Sequence, residues 1–128
     1  MNPRVNTFED LLAWQKAREL TSAVYRLTSH GRLAADRASR DQLRRASASV
    51  MANIAEGFER GRRTEFHQFL SVAKGSCAEV RSFLYVALDA GLLGQEEFNP
   101  LLELAVSTSR IIARLRSAVA MQRDSKKK

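Results

Sequence analysis

Apolar residues recur at three- and four-residue steps through four stretches of this chain, and no stretch alternates long enough to form a strand. The first helix is predicted from about Phe8 to Thr28, on the row Phe8, Leu11, Leu12, Leu20, Val24 and Leu27, with Trp14 and Ala17 filling one side. Thr7 is placed to cap it, with acids in the first turn, where the helix dipole favours them. His30 to Ala38 reads as a polar connection with some irregular or frayed helix. Ser39 followed by Gln42 reads as a capping box for the second helix. Its inward row is Leu43, Ala46, Val50, Ile54 and Gly57, with Phe58 at the margin and Gly57 and Gly61 as stop signals.

The third helix is expected to open on Thr64 as N-cap and to end near Ala90, before Gly91 and Gly94. Its core row is Phe66, Phe69, Leu70, Ala73, Cys77, Val80, Leu84, Ala87 and Leu88. A fourth runs from near Gln95 to about Met121 on Phe98, Leu101, Leu102, Ala105, Thr108, Ile112, Leu115 and Val119. Pro100 either bends it or is the first residue of a restart capped by Asn99. Short connections make consecutive long helices antiparallel neighbours. The expected fold is all-α, an antiparallel up-down-up-down four-helix bundle, as one domain over residues 1–122 with a basic disordered tail over 123–128.

Two features go beyond one core stripe per helix. The stretch QLRRASASVMANIAEG, Gln42 to Gly57, is unusually lean, so it lets neighbouring backbones come close on more than one side. In the third helix, Val72, Phe83 and Val86 flank the core row beside Ser76, and Leu92, Leu93 and Ile111 add apolar surface elsewhere. That pattern suits self-association through Val72, Phe83 and Val86, or else a wide core stripe.

Charge adds a partner class. The net charge is +7 and Arg supplies most of the 21 basic residues. Such a surface either serves solubility or meets an anionic partner, nucleic acid before a membrane. Arg37, Arg40 and Arg44 share a helix face, Arg60, Arg62 and Arg63 cluster at the far end of that helix, and Lys126, Lys127 and Lys128 close the chain. Arg110, Arg114 and Arg116 line the fourth helix. Such groups contact phosphates without reading sequence, or form a solvated face with local pairs such as Asp36 with Arg40. The single cysteine, Cys77, excludes an internal disulfide and fits a reducing compartment. With no signal peptide or membrane span to read, the expected location is cytoplasmic.

Chemistry finds little purchase. Asn53, Glu56, Ser76 and Glu79 are the polar residues nearest packed faces, with Arg45 or Arg81 as partners for the carboxylates. They read as a polar network, Arg45, Asn53, Glu56, Ser76 and Glu79, that fixes helix register or a subunit contact, ahead of an acid/base pair. His30 and His67 are the only histidines and neither follows a Glu by three residues, which argues against a di-iron bundle and against zinc. Gly57 to Arg63 lacks a phosphate-loop ending. No cofactor and no enzymatic activity are expected.

The blocks FEDLLAWQKARELTSAVYRLT, DQLRRASASVMANIAEGFERG and EFHQFLSVAKGSCAEVRSFL resemble the signatures of the bacterial intervening-sequence proteins, some of which are encoded within insertions in large-subunit ribosomal RNA genes. The matching residues are Trp14, Gln42, Arg45, Asn53, Glu56, Gly57, Gly75, Ser76 and Glu79, while His30 to Ser39 departs from the family pattern. The resemblance implies a four-helix bundle and a homo-oligomer, with a ring-like pentamer expected. Through similarity to the basic accessory proteins of diversity-generating retroelements, it also implies RNA or DNA as a partner. A protein partner held by a scaffold is the alternative.

Overall fold

A computed structural model describes residues 4–127, with the side chains of residues 123–128 outside the described ones. A single 3-10 turn, Phe8–Asp10, leads into α1, Leu12–Leu27. A five-residue helix, α2, Gly31–Ala35, precedes the three longest elements: α3, Arg37–Glu59; α4, Arg63–Asp89; and α5, Gln95–Lys127. Among the described residues there is no strand.

The four long helices close a square in the order α1, α3, α4, α5, with α5 returning against α1. Contacts between elements fix the antiparallel registers. Thr21 Oγ1 donates to the Ser47 carbonyl at 3.0 Å between α1 and α3. Ser49 and Ser76 hydroxyls meet at 2.9 Å between α3 and α4. Arg116 Nη1 donates to Ser71 Oγ at 3.3 Å, and the Tyr85 and Phe98 rings meet edge-on at 5.0 Å, between α5 and α4. Leu20, Leu43, Ile54, Leu70, Leu84 and Ile112 are fully buried at the centre. Each contributes roughly 1.5–3 kcal/mol by leaving water.

Local chemistry explains the boundaries. The Asp10 carboxylate accepts from the Asn6 and Thr7 backbone N–H groups at 2.9 and 3.1 Å, which pins the 3-10 turn. The chain is extended at Leu11 before α1 starts. That break turns Leu12 outward, 57% exposed, and buries Leu11 and Ala13, so Leu12 leaves the predicted core row. The polar connection holds α2, anchored by Leu33 at 1% exposure.

Asp36, not Ser39, caps α3: its Oδ1 accepts from the Ser39 N–H at 3.0 Å. Arg62 rather than Thr64 occupies the N-cap position of α4. Gly57 lies inside α3, and the stop is Gly61 at φ +76. At the end of α4, Leu92 N donates to the Ala87 carbonyl and Gly91 N to the Leu88 carbonyl, a Schellman closure that needs the positive φ at Gly91. Leu93 is buried rather than part of an apolar surface.

Pro100 lies within α5, and the helix does not restart at Asn99, whose Oδ1 instead accepts from Gln95 Nε2 at 2.8 Å. The predicted end near Met121 gives way to a helix running to Lys127. The tail's side chains, with Lys126, Lys127 and Lys128 as phosphate contacts, lie outside the described residues.

Candidate functional site

The face between α3 and α4 unites two sets of residues that the sequence suggests separately. Small side chains bring the two helices together. A Cβ on Gly57 would stand 2.6 Å from Phe69 Cβ, so only hydrogen fits there. With the helices this close, the Ser49 hydroxyl reaches Ser76, and Asn53 Nδ2 donates to the Ser49 carbonyl at 2.8 Å and to its hydroxyl at 3.0 Å. The Ser49–Ser76 register carries Arg45 to the level of Glu79 and Asn53 to that of Val72. At helical spacing, Val72, Ser76, Glu79, Phe83 and Val86 share one flank of α4. Val72 and Val86 are each 53% exposed, and Phe83 is half-buried. The polar residues and the apolar ones therefore form one surface.

The expected polar network divides. Asn53 and Ser76 are joined through Ser49, a residue that reads in sequence only as small. Arg45 donates instead to Gln42 Oε1 within α3. Glu56 takes Arg60 at 2.9 Å rather than Arg45 or Arg81. Arg60 also reaches Glu65 at 3.4 Å and lies over the Phe69 ring at 5.3 Å. Its bond with Glu56 raises its pKa above the ordinary guanidinium value. Glu79 is exposed and has no hydrogen-bond or ion-pair partner among the described residues.

The arginines sort by what already holds them. Arg44 Nε donates to Thr28 Oγ1 at 2.8 Å, its Nη2 reaches the Thr28 carbonyl at 3.3 Å, and the group lies 4.6 Å over the Tyr25 ring. Arg40 pairs with Asp41 at 3.0 Å, not with Asp36, and donates to the Ala34 carbonyl at 3.0 Å. Arg40, Arg44 and Arg60 thus brace their own chain. Arg37 is exposed without a partner among the described residues, Arg62 stands 3.9 Å from Glu65 at 83% exposure, and Arg63 is half-buried. Arg37 opens a helix of 23 residues, about 34 Å long, and Arg62 stands beyond its other end, so they form no common patch.

A different basic stripe runs along α4 and α5. The Ser71–Arg116 and Tyr85–Phe98 contacts set Lys74 level with Arg110 and Arg114, and Arg81 further along, level with Glu103. None of these four basic residues has an acidic partner among the described residues.

Among the described residues no three of His, Cys, Asp and Glu stand together to hold a metal ion. Burial pushes the Cys77 thiol up to about 12, so it is a protonated core group at neutral pH. No helix among the described residues is long and apolar enough to cross a membrane.

The sequence profile of the 23S rRNA-intervening sequence proteins matches residues 9–114. The chain belongs to this family. A solved structure from the S23 ribosomal protein family, a Bacteroides thetaiotaomicron protein of unknown function, is similar in fold. It aligns with a TM-score of 0.74 at 17% identity, over 82% of this chain and 98% of that one. No curated protein matches the chain. Of the residues by which the chain resembles the intervening-sequence proteins, Gln42, Arg45, Asn53, Glu56, Gly75, Ser76 and Glu79 lie on or beside the α3/α4 face. Gly57 sits beneath it at the closest helix approach, while Trp14 packs edge-on against Phe8 at 5.2 Å, away from it. In this intervening-sequence protein the signature thus concentrates along the α3/α4 contact, partly buried in it and partly on the surface above it.

Proposed function

We propose that this chain is a non-enzymatic cytoplasmic bundle that associates with itself through the α3/α4 face and binds RNA or DNA without reading sequence. The observation that carries the nucleic-acid part is the α4/α5 stripe, where Lys74 is level with Arg110 and Arg114, Arg81 follows along α4, and none of the four has an acidic partner among the described residues. Cations left free in this way are available to phosphates, and neutralising them releases counterions from the nucleic acid. Arg37 and Arg62 add separate contacts at opposite ends of α3. Self-association repeats each patch, so weak contacts add by avidity. The family resemblance suggests a pentamer as the assembled form.

Fluorescence anisotropy with structured RNA and with duplex DNA, across a salt series, tests this reading. Four contacts on a duplex give a log–log salt slope of about −3.6. Absence of binding at about 50 mM salt would remove the nucleic-acid part. A second reading, a scaffold for a partner protein, is favoured by the half-exposed valines Val72 and Val86. Under it, Phe83→Ser with Val86→Ser abolishes partner capture while Arg110→Glu does not.

A further inference from the structure

The side of the square opposite the α3/α4 face carries a groove. It runs along α1 and α5 as three hollows, the middle one sharing Leu27, His30 and Glu97 with one neighbour and Arg26 and Leu104 with the other. The middle one has a volume of about 280 Å³ and a floor of Ala23, Leu27, Pro100, Leu101 and Leu104. Its lining is mostly apolar, whereas the hollow beside Gln15 to Ser22 is more polar. From Gln15 to His30 the groove follows α1 for about 22 Å, the length of four helical turns.

The rim has a sign. Arg18, Arg26 and Arg32 line it from the α1 side and its continuation. The Arg26 guanidinium has no hydrogen-bond or ion-pair partner among the described residues, and Arg32 makes only a 3.5 Å contact to the Gly91 carbonyl. Of the acids, Glu19 is already held by Lys16 at 3.2 Å, which leaves Glu97 at one end. A groove four turns long, apolar in its middle hollow and with a net basic rim, complements an amphipathic helix with acidic flanks. A basic helix would meet Arg18 and Arg26 directly.

We propose that the α1/α5 groove docks an acidic amphipathic helix of a partner protein, with two or three apolar side chains on the floor and Asp or Glu against Arg18 and Arg26. The groove lies away from both the α3/α4 face and the α4/α5 stripe, so this docking is independent of self-association and of nucleic-acid binding.

The test is selection of displayed 16-residue peptides on the full chain, followed by anisotropy of a fluorescein-labelled consensus peptide. The expected consensus places Leu, Ile or Phe at three- and four-residue steps between Asp and Glu. Arg26→Glu is expected to weaken binding about fivefold and Arg18→Glu similarly, from reversal of an exposed ion pair. Ala23→Trp, which fills the floor, is expected to abolish it, and Arg37→Glu to leave it unchanged. Because Ala23 is half-buried, the two arginine variants carry the test if the tryptophan variant does not fold. A consensus without acidic flanks, or binding unaffected by Arg18→Glu and Arg26→Glu, would overturn the proposal. So would a fall in native mass on Arg26→Glu, which would show a second copy in the groove.

Discussion

One substitution, glycine to alanine, is expected to act with opposite signs at two positions of the same helix pair. At Gly57 a Cβ would meet Phe69 Cβ at 2.6 Å and Phe66 Cδ1 at 3.1 Å. Carbon atoms pack at about 3.5–4.0 Å, so α3 and α4 must part by roughly 1 Å. Phe69 Cβ is fixed to its backbone and cannot swing aside. Overpacking of this kind costs about 1–3 kcal/mol, against a helix-propensity gain of about 0.5–1 kcal/mol. Gly57→Ala is therefore expected to destabilise by about 1–2 kcal/mol. At Gly75, also helical, no atom lies within 4 Å of the added methyl. Gly75→Ala keeps the propensity gain alone and is expected to stabilise by about 0.5–1 kcal/mol. Urea unfolding at matched protein concentration reads both, since assembly would add to apparent stability. A shift of the same sign in the two variants would refute the close-approach argument. A Gly75→Ala protein that is more stable as a monomer yet assembles less well would show that the open side of Gly75 is covered by another subunit.

Arg44→Ala is expected to cost about 2 kcal/mol, and Arg44→Lys to recover little of it, because a single ammonium cannot both fork onto Thr28 and stack on Tyr25. Arg110→Glu with Arg114→Glu should flatten the salt slope of RNA or DNA binding by about 1.8, while Arg40→Gln leaves it unchanged. Cys77, held protonated by burial, should resist a disulfide exchange reagent in the native protein and react fully in urea; fast native labelling would contradict a closed core. The Asp10 carboxyl is held below its ordinary value by the Asn6 and Thr7 backbone N–H groups. A depressed folded pKa stabilises above the unfolded value of about 4 and is lost as pH falls through the folded one. Asp10→Asn should therefore remove part of the acid sensitivity below pH 4 in thermal melts, and an unchanged profile would count against that cap.

The long helices are legible because their core rows obey the 3.6-residue period over many turns. The rows of α3 and α4 are buried nearly as the pattern predicts, with Phe69 and Leu88 only half-buried at the margin. Where the period is interrupted, legibility fails. Leu12 is misread because a three-residue turn and one extended residue shift the phase of everything after it. The helix around Leu33 reads only as irregular or frayed helix in a connection, because one apolar residue in a polar stretch has no period. Asp36 and Ser39 are both good caps three residues apart, and only the observed bond decides between them. The site suffers more than the fold. Arg44 shares a sequence face with Arg37 and Arg40, but the groups that claim it, Thr28 and Tyr25, sit on α1 and its end. Pairing across helices has no local signal in the chain.

The same reasoning explains why the α3/α4 face carries so much of the family signature without carrying reactive groups. A chain that needs two backbones in close contact must use Gly and Ser there, and each buried hydroxyl then needs a partner. Ser49 and Ser76 satisfy each other, and Asn53 closes on Ser49, so the close approach and the polar residues are one requirement rather than two. Val72 and Val86 are not part of that requirement, since half of each remains exposed. Glu79 and the outer edge of Arg45 are not part of it either, for neither is held across the helix pair. What the bundle does not explain about this face is therefore concentrated in four side chains. Val72→Ser with Val86→Ser, and separately Glu79→Arg, leave the core untouched and should leave monomer stability within about 0.5 kcal/mol. If the face is a subunit contact, both lower the native mass in sedimentation. If the mass holds in both, these residues serve neither the fold nor self-association, and the partner-protein reading gains the face.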